Sequence, residues 1–476
     1  MTEDQQERIQ TTRQRLARHG QEQLLRFVDQ LSESQQRELL ADIESLDLDM
    51  LETLIEPYIL QTPQFEIPDD IMSPPVYPIE PPPEWKEKYE QARQLGQSLI
   101  GRGKVAAFVV AGGMGTRLGF DGPKGCYPAT PIRKKVLFQV FADKIQATQN
   151  RYGGVIPWYV MTSQVNHEAI EQAFADNNHY GLNPDNVILF QQGMMPSFDH
   201  QGKILLSEKH RLAMSPDGHG GSLLALYKSG ALADMKTRGI EFISYWQVDN
   251  PQVHVIDPLF IGLHALDEAE MSSKAVIKCD PLEQVGNFIL VNNRVAVIEY
   301  SDLEKCDSEK KAYLSNLLQL GSIAIHLISR SFVERLNQDG FSLPWHRADK
   351  KISYLDNAGT RIQPDEPNGV KLETFIFDAL PIAKKSIILT IDRIEEFAPI
   401  KNATGIDSAE SSRQLQIERA ARWLESAGIP VPRKPDGAVD AIIEIAPCFA
   451  LDAQEMKEKI NLLPEVIRSE QQIALV

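Results

Sequence analysis

The chain has 476 residues, 42% of them hydrophobic and 24% charged, with a formal net charge of −17; this allows two or three domains of ordinary soluble, globular make-up. The acidic balance excludes nucleic acid as a partner, because that recognition needs a basic face. No apolar run is long enough to span a bilayer, and the opening MTEDQQERIQ lacks the apolar centre of a signal peptide, so no membrane association is expected.

Residues 1 to about 60 read as a helical region. LLRFVDQL, QRELLADIESL and DMLETLIEPYI carry apolar residues at three- and four-residue spacing, with Ser34 and Asp49 as expected caps. Residues 61–84 are different material. Pro63, Pro68, Pro74, Pro75, Pro78, Pro81, Pro82 and Pro83 exclude regular helix or central strand and predict an extended strap. WKEKYEQARQLGQSLIGRG predicts a further helix.

From Val105 to about Ile391 strand-like runs alternate with helical ones. The strand-like runs are AAFVVA, IPWYVMTS, NVILFQQG, FISYWQVDN, KAVIKC, NFILVNN, VAVIEYS and SIIL. The helical runs are KVLFQVFADKIQATQNRY, HEAIEQAFADNNHYG, GSLLALYKSGALADMKTRG and DPLFIGLHALDEAE. This alternation predicts an α/β domain over 85–397, its mainly parallel sheet covered on both faces and its ligands at the carboxyl ends of strands. Residues 398–476 read as a small C-terminal domain: the helix SSRQLQIERAARWLESAG, the short apolar DAIIEIAP and a terminal helix. Cys126, Cys279, Cys306 and Cys448 are widely spaced with no metal-ligand pattern, so a reducing, cytoplasmic setting is expected.

The chemistry centres on KVAAFVVAGGMGTRLGFDGPKG, Lys104 to Gly125. An apolar run leads straight into a loop holding Gly112, Gly113, Gly115 and Gly119, with Arg117 and Lys124 set among them. That is the form of a buried strand ending in an anion cradle. Glycines let the backbone N–H groups approach a ligand, and the two cations add charge. Neither common phosphate motif fits. In G-x-G-x-x-G, Leu118 stands where the third glycine belongs; in the Walker pattern, Lys124 follows proline and precedes glycine. In a protein this acidic, a polyphosphate must be held by a few placed cations, a metal and backbone N–H groups.

Asp249, in VDN after the strand-like FISYWQV, is a carboxylate at a strand's carboxyl end, suited to a hard cation such as Mg²⁺. Gln192, in FQQG, has an amide that can donate and accept at once. Phe375 and Phe377 are spaced by two, as on one face of a strand.

Taken together, AGGMGTRLGFDGPKG, PWYVMTS, FQQGMMPSFDHQGKI, MSPDGHGG, QVDNPQVHVIDP, VIEYSDL, PDEPNGVKLETFIFD and APIKNA resemble the UDP-sugar pyrophosphorylases, in the family's order over roughly residues 85 to 412. They are most similar to the eukaryotic UDP-N-acetylhexosamine type. The resemblance implies a Rossmann-like, GT-A-like nucleotidyltransferase core between the helical N-terminal region and the small C-terminal domain. It implies the reaction of UTP with a sugar 1-phosphate, N-acetylglucosamine 1-phosphate first, giving UDP-sugar and pyrophosphate with Mg²⁺ as cofactor.

The resemblance also implies roles. Arg117, Lys124 and Lys401 would handle the phosphates. Gly112, Gly113, Gln192, Gly218 and His219 would bind the nucleotide, and Asp249 the metal. Gly286, Glu299, Tyr300, Ser322, Lys371, Phe375 and Phe377 would face the sugar. Two positions depart from the family: His219 and Ser322 each replace an asparagine beside the sugar or its phosphate. Histidine can still donate to phosphate, whereas the shorter serine leaves room for water or another substituent, keeping glucose 1-phosphate or a broad range of sugar phosphates open. His326, in the same block as Ser322, reads as structural, and Cys126 carries no catalytic role. A binder that had lost catalysis would not need Arg117, Lys124, Asp249 and Lys401 together. The N-terminal helices could serve assembly, by docking on the core or on a partner.

Overall fold

The computed structural model describes residues 3–63, 67–68, 70–280, 283–303, 314, 317–338, 340–341 and 343–476. Its contacts divide the chain into two compact units. Unit 1 joins Met1–Ile67, Gly193–Ser222 and Leu343–Ile376; unit 2 joins Pro68–Gln192, Leu223–Ser342 and Phe377–Val476. This division does not follow the expected segments 1–60, 61–84, 85–397 and 398–476.

In unit 1, helices α1 (Glu3–Arg18), α2 (Glu33–Glu44) and α3 (Leu48–Leu54) supply one half of a core. Leu16, Leu39, Leu40, Ile43 and Leu51 pack in one cluster with Phe198, Leu206, Leu212, Leu355, Val370 and Leu372. The second half is a β region whose three-stranded antiparallel sheet pairs Trp345–Lys350 with Gly369–Thr374 and Gly369–Thr374 with Phe198–Asp199. An apolar helix stripe must bury itself against another layer, and these strands provide it. Gln21 stitches the halves: its Nε2 donates to the Gly202 carbonyl at 2.8 Å and its Oε1 accepts from the Ile204 N–H at 2.9 Å.

The caps fall two residues before the expected ones. Ser32 caps α2 in a capping box with Gln35, and Asp47 caps α3 through the Met50 N–H. LLRFVDQL forms two short 3₁₀ turns, Glu22–Leu25 and Val28–Gln30, rather than an α-helix.

Unit 2 is built on a nine-stranded sheet. Its strands are β1 (Val105–Val110), β2 (Trp158–Thr162), β3 (Val187–Gln191), β4 (Phe242–Gln247), β5 (Met271–Ile277), β6 (Gly286–Val291), β7 (Arg294–Ile298), β8 (Leu320–Ser329) and β9 (Ser386–Ile391). They lie in the order β7-β6-β8-β4-β1-β2-β3, with β5 between β8 and β9. The pairs β1–β2, β2–β3, β1–β4 and β5–β9 are parallel, and every pair made by β8 or β7 is antiparallel. All strands except β7 and β8 therefore point one way, the mostly parallel α/β sheet the alternation predicted.

Its helices include α4 (Lys86–Gly101), α5 (Leu137–Tyr152), α6 (His167–Asp176), α7 (Gly221–Lys228), α8 (Ala231–Thr237), α9 (Pro258–Leu266) and α10 (Ala409–Ser426). Tyr89, Ala92, Phe138, Phe141, Ile145, Phe260 and Leu263 bury against Val105, Val109, Trp158 and Val160 in the main core. The long run GSLLALYKSGALADMKTRG breaks into α7 and α8 at Gly230, whose φ is +84°. Within the proline-rich stretch two described residues hydrogen-bond to the sheet: Met72 bridges Leu290, and Tyr77 bridges Leu389.

Three further readings change. β8 was not anticipated as a strand; it bulges against β5, with Ala324 at φ +54°. VAVIEYS stops as a strand at Ile298, and Tyr300–Leu303 is a helical turn. The chain closes on a strand, Gln471–Leu475, parallel to Ala441–Ile445, after the short helix Ala453–Glu458. This C-terminal stretch and α10 have their own apolar cluster, centred on Trp423, Leu424, Ile443 and Met456. No described helix is long and apolar enough to cross a membrane. Cys126, Cys279 and Cys448 are free thiols; Cys306 lies outside the described residues.

Candidate active site

The glycine loop follows β1, and its shape is fixed by its own backbone. Gly115 N–H donates to Gly122 at 2.8 Å, Lys124 N–H to Gly113 at 3.0 Å and Phe120 N–H to Gly115 at 3.1 Å. Among the described residues, the consecutive N–H groups of Gly112, Gly113 and Met114 meet no protein acceptor. Arg117 is exposed and Lys124 half-buried, and neither forms an ion pair or side-chain hydrogen bond with a described residue. Free N–H groups beside unpaired cations make an anion-binding concavity.

Asn166 was missed in the sequence, although it holds the cradle. Fully buried, its Nδ2 donates to the Ala111 carbonyl at 3.0 Å and its Oδ1 accepts from the Ser163 N–H at 2.8 Å. Gln192 leaves the carboxyl end of β3, two strands from β1, and a Cβ on Gly112 would lie 3.1 Å from its Oε1. The glutamine and the loop thus meet in space.

β4 is parallel to β1 and adjacent to it, with Val110 level with Gln247. The next residues, Val248 to Asn250, therefore emerge beside the glycine loop. Asp249 is 9% exposed, and its carboxylate has no hydrogen bond or ion pair among the described residues. Its backbone carbonyl accepts from the Ile400 N–H at 2.9 Å, which brings Lys401 next to it. Lys401 Nζ lies 3.8 Å from Asp407 Oδ2 and 5.6 Å from the ring centre of Phe397. Burial raises the Asp407 carboxyl above its usual range; Lys401 opposes that shift and Asp249 adds to it.

Asn250, also missed, clamps the segment carrying Lys401. Its Nδ2 donates to the Glu396 carbonyl at 2.6 Å, and its Oδ1 accepts from the Ala398 N–H at 3.1 Å. The signal available in the sequence was the polar residue following Asp249 at a strand's end, a position where side chains commonly bind backbone.

Gly286, Glu299 and Ser322 also come together. Gly286 on β6 pairs with Ser322 on β8, and a Cβ at Gly286 would stand 3.3 Å from Glu299 Oε1 and 3.7 Å from Ser322 Cβ. Tyr300, on the turn after Glu299, is 37% exposed. His326 is buried with Nδ1 2.9 Å from Ser273 Oγ, the structural position expected of it.

Gly218, His219, Lys371 and Phe375 belong to unit 1, and Phe377 to unit 2. Gly218 has φ +84°, and a Cβ there would meet the Thr374 carbonyl oxygen at 2.3 Å. The Ile376 N–H donates to His219 Nδ1 at 3.1 Å, so the neutral imidazole carries its proton on Nε2. Burial, and then His346, push His219 down to about 4. Phe375 stacks on His219 at 5.2 Å and lies tilted against His346 at 4.4 Å. Lys371 is half-buried in the strand Gly369–Thr374, opposite Ala348. The same-face reading of Phe375 and Phe377 is corrected: the strand ends at Thr374 and Ile376–Ala379 is a 3₁₀ turn, so the two-residue rule no longer applies.

Among the described residues, His254, Asp257 and Glu396 form a cluster tight enough for a metal. Lys274 already supplies its cation. The buried ammonium donates to Asp257 at 2.7 Å and to both oxygens of Glu396, at 2.7 and 2.6 Å. Burial alone would raise the Asp257 carboxyl, but the Lys274 ammonium beside it holds it below its usual range.

The sequence pattern of the family described as UTP--glucose-1-phosphate uridylyltransferase matches residues 68–465. The chain is 33% identical to the human UDP-N-acetylhexosamine pyrophosphorylase-like protein 1, over 94% of each chain. It is 36% identical to the UDP-N-acetylglucosamine pyrophosphorylase of Saccharomyces cerevisiae, over 88% of this chain and 91% of that one. The crystal structure of the uridine diphosphate N-acetylglucosamine pyrophosphorylase from Trypanosoma brucei shares the fold, with a TM-score of 0.78 at 24% identity over 98% of both chains. With a cradle after β1, a carboxylate after β4 and these relatives, the chain belongs to the UTP--glucose-1-phosphate uridylyltransferase family.

Proposed function

We propose that this protein is a uridylyltransferase that converts UTP and an N-acetylhexosamine 1-phosphate, N-acetylglucosamine 1-phosphate first, into the UDP-sugar and pyrophosphate. One observation carries the reading: adjacent parallel strands β1 and β4 bring a cradle with two unpaired cations beside a buried carboxylate, whose own backbone fastens the segment bearing Lys401. The names of the human and yeast relatives point to the same chemistry.

The reaction needs no protein nucleophile. A phosphate oxygen of the sugar 1-phosphate forms a bond to the α-phosphorus of UTP, the bond to the bridging oxygen breaks, and pyrophosphate leaves in line. Catalysis is alignment of two anions plus neutralisation of charge on the leaving group. Gly112 and Gly113 would bring backbone N–H groups to the triphosphate, and Arg117 and Lys124 would take its charge. Gln192 would pair with the uracil edge, and Gly218, where a side chain has no room, is assigned to the nucleotide by resemblance. His219 would donate through Nε2, and Lys401 would meet the reacting phosphates.

Asp249 fits a divalent cation, because a buried carboxylate without a protein partner is costly unless a cation satisfies it. Asp249 would hold Mg²⁺ against the phosphates. When bound, the ion supplies further neutralisation of the leaving pyrophosphate. The cluster of Gly286, Glu299 and Ser322 would line the sugar, with Tyr300, Lys371, Phe375 and Phe377 assigned by resemblance.

A second reading keeps the chemistry and changes the sugar. Ser322 and His219 stand where the family has asparagine, so glucose 1-phosphate or a range of sugar phosphates fits the same phosphate machinery. A pyrophosphate-release assay decides. Purified protein with UTP and Mg²⁺ is offered N-acetylglucosamine, N-acetylgalactosamine, glucosamine, glucose and galactose 1-phosphates. The expected result is release with the two N-acetylated sugars. Release with none refutes the enzyme, and a preference for glucose 1-phosphate refutes only the hexosamine assignment.

A further inference from the structure

Behind the Asp249 segment lies a crevice of about 550 Å³ that the proposed reaction does not use. Its size suits a metabolite. The walls come from α4, α5, residues 253–258, α10 and the C-terminal stretch 445–454, all within unit 2.

The charges lining it are unevenly satisfied. Its acids are engaged: Asp257 by Lys274, Asp452 by Arg151, and Glu395 by the Trp423 indole N–H at 2.8 Å. Among the described residues, Arg93, Lys144 and Arg419 form no ion pair. Lys144 is buried, and its ammonium donates only to the carbonyls of Pro251 and Val253, each at 2.7 Å. Arg419 lies over the Trp423 ring at 4.9 Å, and its Nη1 donates to the carbonyls of Gln252 and Glu395, each at 3.2 Å. Burial lowers both the Lys144 ammonium and the Arg419 guanidinium from their ordinary values. A chain with net charge −17 gains such a cation cluster only by placement. An anion here would compensate the desolvated charges.

The same cations hold the candidate catalytic segments from behind. Arg419 ties Gln252, three residues after Asp249, to Glu395, six residues before Lys401. Lys144 holds Pro251 and Val253 on the same loop. A ligand that draws on Arg419 therefore acts on the supports of Asp249 and Lys401 together.

We propose that this crevice binds a small phosphate monoester with a sugar-sized body and that its occupancy regulates the site in front of it. The regulatory half rests on the uridylyltransferase reading; the binding half does not. Coupling between the two sites then requires that the ligand favour one arrangement of the 250–254 and 395–401 segments.

The test titrates glucose 6-phosphate, which lacks the 1-phosphate of an acceptor, into the full chain by calorimetry, with and without saturating UTP. Inorganic sulfate serves as a second probe. Glucose 6-phosphate is expected to bind with UTP present, and to bind at least tenfold more weakly to Arg93→Glu, an exposed position whose change leaves UTP binding unaltered. Arg419→Lys, which keeps the charge, is expected to weaken the coupling. Turnover of the wild type is expected to change at least twofold with glucose 6-phosphate, and that of Arg93→Glu is not. Absence of binding, binding displaced by UTP, or binding indifferent to Arg93→Glu overturns the site. Binding that leaves turnover unchanged overturns the regulatory role. If the chain transfers no uridylyl group, the calorimetry still decides the crevice.

Discussion

Ile400 donates its backbone N–H to the backbone carbonyl of Asp249 over 2.9 Å. That bond joins the end of β4 to a segment about 150 residues further along the chain, and Asn250 repeats the tie through Glu396 and Ala398. Lys401 is thereby delivered beside Asp249 by backbone geometry, before any ligand arrives. Pre-positioning of this kind is what a transfer reaction without a protein nucleophile needs.

Lys124→Ala is expected to lower kcat by about 100-fold or more, the range for removing one placed electrostatic group, while the circular dichroism spectrum and melting temperature stay as in the wild type. Lys401→Ala should behave alike. Near-normal turnover in either variant would remove that residue from the phosphate site.

Asn250→Ala tests positioning rather than contact with substrate. The expected outcome is a fall in kcat with the KM for UTP changed less than kcat, and partial recovery in Asn250→Asp, which keeps the acceptor for the Ala398 N–H but not the donor for Glu396. Equal losses in both variants would mean that the clamp is only structural.

Asp249→Asn keeps size and removes charge. Titration of activity against Mg²⁺ should show a requirement at least about tenfold higher, the loss expected when a ligand carboxylate is neutralised, and chelation should abolish wild-type turnover reversibly. An unchanged Mg²⁺ profile would place the ion elsewhere.

Ser322→Asn restores the residue of the resembled family beside Gly286 and Glu299. The ratio of kcat/KM for N-acetylglucosamine 1-phosphate over glucose 1-phosphate is expected to shift by about tenfold, the scale of one hydrogen-bonding group in a specificity pocket, with the KM for UTP unaffected. A constant ratio would exclude Ser322 from sugar selection.

Acid should destabilise the fold through its buried histidines. His219 is pushed down to about 4, and His264, fully buried between Ser272 and Ser329, to about 3, both chiefly by burial. Between these values and the ordinary histidine value near 6.5 the unfolded chain binds protons that the folded chain does not, so stability falls as pH drops through that window. Urea unfolding at pH 7 and pH 4.5 should show this, and His219→Asn should flatten part of it. An identical pH slope in the variant would rule out His219 as a contributor.

Much of the candidate site was legible because the features that nominate it are local. A run such as Val105–Val110 has the apolar continuity of a strand buried on both faces, and glycines with two cations directly after it point to an anion cradle. Asp249 could be placed at a strand end for the same reason. The caps at Ser32 and Asp47 were misplaced by two residues because several Ser and Asp side chains compete at each helix start, and only the backbone path selects one. β8 escaped notice because the bulge at Ala324 interrupts the alternation that marks a strand. Asn166 and Asn250 act on backbone groups of other segments, which no local pattern reveals.

By itself the sequence determined the alternation of strands and helices, the cradle and the carboxylate, since each depends on residues within one turn or strand of one another. The tertiary structure alone decided that Met1–Ile67 shares a core with Gly193–Ser222 and Leu343–Ile376, and that the residue before Lys401 hydrogen-bonds to the Asp249 backbone. Those outcomes are set by apolar surfaces and backbone hydrogen bonds that find partners far along the chain; the period of a helix marks its apolar face, but burial is non-directional and the period does not name the partner that covers that face.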